Sequence, residues 1–245
     1  MPADDPPRSA DDVTLVLTEL AGVLVHARGV EDTLQRIIDV AVTVIDGCDA
    51  AGVTITAGDR PRTAAHTDER TLAIDSDQYR SGEGPCLEAA AAQEMRRVDV
   101  AGAMDRWPDF TRAAVADGVR SFLAAPLGVG GEPLGALNLY SRNEDGFGNL
   151  DEAFVALLAG QASSAIANSL RYADAVALTE QLEGALESRI VIEQAKGVLI
   201  GALGVDAERA FDLLRQGSQR ANTKLRDVAA GVVAEAVAGR PPSIP

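Results

Sequence analysis

The residues best suited to chemistry lie near the carboxyl end. Arg189, Glu193 and Lys196 recur along one face of a helical stretch, with Gly197 beside Lys196 and with Ile192, Ala195 and Leu199 on the adjoining apolar face. A glycine inside a helix costs about 1 kcal/mol relative to alanine, so Gly197 suggests close approach by something outside the helix. Further on, Arg215, Ser218, Gln219 and Asn222 fall at i, i+3, i+4 and i+7, and Lys224 follows. Cationic and neutral donors of these kinds bind phosphates and read base edges. On spacing alone, a solvated helix face explains them equally well.

Other chemistry is hard to assemble. The chain has no phosphate-binding glycine loop ending in Lys-Ser/Thr, no nucleophile elbow and no kinase motif set. Its two histidines, His26 and His66, are isolated, and no His or Cys pair has metal-ligand spacing, so neither catalysis nor a bound metal or cofactor is expected. Cys86 follows Pro85 at a helix start, where the helix dipole lowers a thiol pKa. It reads as a small buried hydrophobe, with a sensory thiol as the alternative.

These residues sit in a chain of 245, long enough for one medium domain and a small one. Hydrophobic residues make up 47% and aromatics only 4%, which favours alanine-packed helices over an aromatic-rich sandwich. The net charge is −15, yet residues 185–240 hold eight basic and seven acidic groups and are nearly neutral. That asymmetry suggests two units with different tasks. The acidic start lacks the apolar core of a secretory leader, no uninterrupted apolar run reaches the roughly 18–20 residues of a membrane span, and two cysteines make no disulfide framework. A cytoplasmic protein without membrane contact is expected.

Periodicity places the elements. A disordered lead over 1–11 precedes helices over 12–26 and 31–46, the second with Leu34, Ile37, Ile38, Ala41 and Ile45 on one face. Strands are predicted over 51–56 and 62–67, a helix over 71–79, and an alanine-rich helix from Pro85 to about 93. A strand over 97–100 and a helix over 107–117 follow. The strongest hairpin joins 121–129 to 133–141 through Gly130-Gly131. From 149 to about 203 there is no proline, and a loosely heptad seam (Leu157, Leu170, Leu178, Leu182, Leu186, Ile190) predicts one long helix pairing with a second copy. A bent helix broken near Gly184 is the alternative. Gly204 should close it, Asp206 should cap the next helix, and Asn222 or Thr223 the last. The tail at 239–245 reads as disordered.

The order of Arg189, Gln194-Ala195-Lys196-Gly197, Ala210-Phe211, Leu213-Leu214-Arg215, Ser218, Asn222, Lys224-Leu225 and Val228-Ala229 resembles the ANTAR domain, a three-helix RNA-binding module of bacterial transcription antiterminators. Ile200 stands where the family usually has Met, and Gly201 where a larger residue is usual. Residues 15–170 resemble a GAF domain, on Gly82-Glu83-Gly84-Pro85-Cys86-Leu87, Ala125-Pro126-Leu127 and Leu134-Gly135-Ala136-Leu137-Asn138-Leu139. Together the resemblances imply an α+β protein: an antiparallel sheet flanked by helices over 12–170, a helical or coiled-coil linker over 171–188 and an all-α module over 181–238. They imply a homodimer binding RNA stem-loops through Arg189, Ala195, Lys196, Gly197, Arg215, Ser218, Gln219, Asn222 and Lys224, under a sensor that takes an unidentified small ligand. The alternative is a ligand-sensing or interaction protein with a helical dimerisation tail and no RNA target.

Overall fold

The computed structural model describes residues 29–58 and 60–244. The lead over 1–11 and the helix expected over 12–26 lie outside them. The chain divides into two compact units at Arg171/Tyr172.

The first unit contains α1 (Val30–Val44), β1 (Ala50–Ile55), β2 (Arg62–His66), α2 (Glu69–Ser81), α3 (Pro85–Ala92), β3 (Arg96–Asp99), α4 (Pro108–Ala116), β4 (Ser121–Val129) and β5 (Glu132–Ser141). The strands form one antiparallel sheet in the order β2-β1-β5-β4-β3. Its centre is the β4–β5 hairpin. Val129 pairs with Glu132 across Gly130 and Gly131, whose φ of 64° and 87° are the two positive values that a tight two-residue turn requires.

Side-chain alternation along that hairpin serves two cores. Leu123, Ala125, Leu127, Leu137 and Leu139 join Leu34, Ile37 and Ile38 of α1, while Phe122, Ala124, Ala136 and Tyr140 join Ile74, Cys86, Ala89 and Phe110. Phe110, Phe122 and Tyr140 stack edge-to-face, with ring centres 5.1 and 5.0 Å apart. A sheet covered on both faces explains why β4 and β5 are apolar throughout.

The long helix α5 (Asn149–Leu203) runs through Gly160 and Gly184 without a break, as one 55-residue element. The Asp151 carboxylate accepts from Gly148 N (2.8 Å) at its start. Val155, Leu158, Ala162 and Ile166 pack into the sheet core with α1. An 18-residue window of this helix has a mean hydropathy of 1.3 and is 39% buried, enough by length and composition to cross a membrane. Alanines raise that mean even though no uninterrupted apolar run is present.

In the second unit, the rest of α5 is followed by α6 (Ala207–Ala221) and α7 (Leu225–Val237). Gly204 ends α5 with φ 67°, and Asp206 caps α6 by accepting from Arg209 N (2.8 Å). The expected cap of α7 is corrected. Asn222 takes the left-handed conformation (φ 50°) that closes α6, and Lys224 stands at the head of α7 without a side-chain cap. In the tail, Ser243 N and Oγ donate to Glu235 (2.5 and 3.0 Å) and Ile244 packs on the helical core.

Gly135 gives a test of the sheet. A Cβ there would lie 1.9 Å from Thr54 O on the neighbouring strand. Gly135→Ala should therefore destabilise the first unit by about 2–3 kcal/mol. The fluorescence of Trp107, the chain's one tryptophan, reports this during denaturant unfolding; an unchanged midpoint contradicts the close packing.

Candidate nucleic-acid interface and the buried polar chain

The three helices of the second unit close on Ala195, Leu199, Ala210, Leu214, Val228, Ala229 and Val232. Ala195 is completely buried there. Its assignment as a place where an RNA loop comes close is corrected: it is a small core residue that lets α5 pack against its neighbours.

The other candidates stay at or near the surface, in two groups. On α5, Arg189 and Gly197 are exposed, and a Cβ on Gly197 would meet nothing within 4 Å. Lys196 keeps only 18% of its side chain exposed and pairs with Glu193 (2.9 Å), a partner that sequence reading did not assign. On α6, Arg215, Gln219 and Asn222 are exposed, and Arg215 pairs with Asp212 (2.9 Å). Ser218 is half-buried. Its hydroxyl donates to Thr223 O (2.6 Å) while Thr223 N donates to Ser218 O (3.1 Å), so this side chain pins the turn that carries Asn222 and Lys224.

Among the described residues, no hydrogen bond or ion pair links the two groups, and Arg189 and Lys224 make no ion pair. Exposed i,i+3 pairs are worth at most about 1 kcal/mol, so Lys196 and Arg215 can exchange carboxylate for phosphate cheaply.

The first unit holds a second constellation that the sequence reading missed. Tyr140 Oη donates to the buried Asp75 carboxylate (2.6 Å), and so does Thr63 Oγ1 (3.1 Å). With the Thr63 proton committed to Asp75, Tyr79 Oη donates to Thr63 (2.8 Å) and accepts from Thr54 (2.9 Å). Thr54 in turn accepts from Asn138 Nδ2 (3.0 Å) and the Cys86 thiol (3.3 Å). One directed chain of donors thus ends on a single carboxylate. Its signal in sequence is Asp75, Gln78 and Tyr79 at i, i+3 and i+4, polar residues on the buried face of α2. Gln78 Oε1 accepts from Cys86 N (3.0 Å) and lies where a Cβ on Gly84 would sit, 2.2 Å away, which explains why Gly84 precedes α3.

Burial dominates the electrostatics of this chain. It pushes Asp75 up to about 6 against the hydrogen bonds from Tyr140 and Thr63, and pushes the Cys86 thiol up to about 12, with Asp75 adding to the effect. Cys86 is fully buried. The alternative of a dipole-activated sensory thiol is corrected, because desolvation outweighs the end of a short helix. Beside α3 opens a surface cavity of about 470 Å³, walled by Gly82, Glu83, Leu87, Glu88, Arg106 and Trp107. Arg106 lies over the Trp107 ring (4.6 Å) and pairs with Glu88.

Fold and surface together describe a helix-flanked antiparallel sheet, followed along one continuous helix by a donor-bearing three-helix module. Residues 27–167 match the GAF domain model and residues 180–233 the ANTAR domain model, and the chain belongs to the GAF domain family with an ANTAR domain behind it. No curated protein matches it. Among solved structures it resembles the GAF domains of phosphoenolpyruvate-protein phosphotransferases. The Acinetobacter domain is 15% identical with TM-score 0.54, over 67% of this chain and 97% of that one; the Coxiella burnetii domain is 19% identical with TM-score 0.54, over 68% and 99%. It also resembles the free methionine-R-sulfoxide reductase of Neisseria meningitidis, at 20% identity and TM-score 0.53, over 70% and 99%. At these identities the likeness is one of fold. The domain pair points to a regulator rather than an enzyme.

Two outcomes test the buried chain. Because burial raises Asp75 above its unfolded value, its contribution to stability is full below about pH 4 and is lost as pH rises through about 6. Asp75→Asn should remove roughly 2–3 kcal/mol of that decline between pH 4.5 and 7.5 in Trp107-monitored unfolding; an unaltered pH slope contradicts it. Cys48 is likewise buried and pushed up to about 12. A thiol reagent at pH 8 should label neither cysteine until denaturant is added, and rapid labelling of the native chain would refute the burial of Cys86.

Proposed function

We propose that this protein is a signal-responsive RNA-binding regulator of transcription antitermination. The observation that carries the proposal is the ANTAR match over 180–233, with its polar positions on the surface of a well-packed three-helix unit. Arg189, Lys196, Arg215 and Lys224 bind phosphates or guanine edges, Gln219 and Asn222 hydrogen-bond bases of a hairpin loop, and Gly197 leaves room for the backbone. Ser218 acts by holding the α6–α7 turn. The module is nearly neutral, so affinity comes from a few placed contacts and from two modules in a homodimer on paired stem-loops. The exposed Leu170, Leu178, Leu182 and Leu186 on α5 support helix pairing. The GAF domain senses a small ligand, for which the surface cavity beside Arg106 and Trp107 is a candidate.

Gel-shift titration of RNA hairpins against duplex DNA at two salt concentrations tests the reading. Hairpin binding should depend on loop sequence with a shallow salt slope, and Arg215→Ala or Lys224→Ala should each weaken it about tenfold with the fold intact. Binding that ignores both substitutions removes the site. A chain that pairs through α5 but binds no nucleic acid is instead a sensor with a dimerisation tail.

A further inference from the structure

Leu182, Leu186, Arg189, Glu193, Lys196, Ile200 and Leu203 follow one another at alternating steps of four and three along α5, which places them on one face of an unbroken helix. The adjoining face, with Ala195 and Leu199, is the one buried against α6 and α7. Leu182, Leu186 and Leu203 are 57%, 60% and 53% exposed and Ile200 is 37% exposed, while Arg189 and Glu193 are also open to solvent. The α5 part of the proposed RNA site, Arg189 and Lys196, therefore lies on the apolar stripe itself, with three charges between two apolar ends.

We propose that a second copy of this chain covers that face by antiparallel pairing about a two-fold axis at the level of Val191, so that the resting pair masks the α5 part of its own RNA site. Charge complementarity sets the direction. In a parallel pair, Arg189 meets Arg189, Glu193 meets Glu193 and Lys196 meets Lys196, each a like-charge contact in a closing seam. Reversing one helix about Val191 sets Arg189 against Glu193 of the other copy, twice by symmetry, and Leu182 against Ile200. Lys196 then faces Leu186, where its aliphatic stem can lie on the leucine and its ammonium can reach water. The matched stretch ends at the Leu182–Ile200 pair, close to the end of α5 at Leu203. Gly197 flanks the seam in open space and leaves room for the partner's backbone. The masking rests on the RNA reading above; the seam does not.

The test uses the full chain carrying Leu182→Cys and Ile200→Cys, both exposed positions, since the native cysteines are buried. Under mild oxidation, inter-chain links mapped by peptide mass should join position 182 to position 200. Adding Arg189→Glu or Glu193→Arg alone should slow that link about tenfold, and adding both together should restore it, because the swapped charges again meet their opposites. Links of 182 to 182 and 200 to 200, or no rescue by the double swap, overturn the seam. The oxidised pair should bind hairpin RNA at least about tenfold more weakly than the same chain after reduction. Equal binding in both states overturns the masking. If the reduced chain and the native chain both bind no hairpin, the RNA reading and the masking fall together, while the cross-link pattern still decides the seam.

Discussion

The first unit depends on one constraint: the central hairpin must be buried on both faces at once. Alternation sends Phe122 and Tyr140 into one core and Leu123 and Leu139 into the other, and a register slip of a single residue would exchange them. The Gly130-Gly131 turn fixes the register from one end, and the edge-to-face contacts of Phe122 with Phe110 and Tyr140 hold the aromatic face. β1 then pairs along β5 and β3 along β4, and the helices that cover the two faces have little freedom left.

One of those cores is not purely apolar. The donors running from Cys86 and Asn138 to Asp75 cross β1, β2, β5, α2 and α3, so the chain ties elements together by direction as well as by contact. Every donor must point toward the carboxylate for all of the bonds to form, which makes the arrangement cooperative and intolerant of local rearrangement. It also explains why a cysteine at the head of a helix is inert here: its thiol donates into the chain and is shielded from water.

The second unit is organised differently. Its seven-residue core is small, and its surface cations are held by weak neighbours on their own helices, Lys196 by Glu193 and Arg215 by Asp212. Such pairs give little stability but keep the side chains extended and replaceable. The continuity of α5 matters most here, because one helix supplies a wall of the module, part of the candidate interface and the exposed apolar stripe.

Local pattern was enough to place most elements. Dense apolar runs joined by Gly130-Gly131 marked β4 and β5, Gly204 marked the end of α5, and three-four spacing marked α1 and α6. The amino-acid order also carried both family resemblances and the polar positions of the candidate interface. Tertiary structure alone decided the rest, because burial and partnership depend on what lies across space. It turned Ala195 from a contact into core, Ser218 into a turn brace, Asn222 into a helix end and Cys86 into a shielded donor. It also assembled the Asp75 chain from residues up to 84 positions apart, a distance over which no sequence period can register a hydrogen bond.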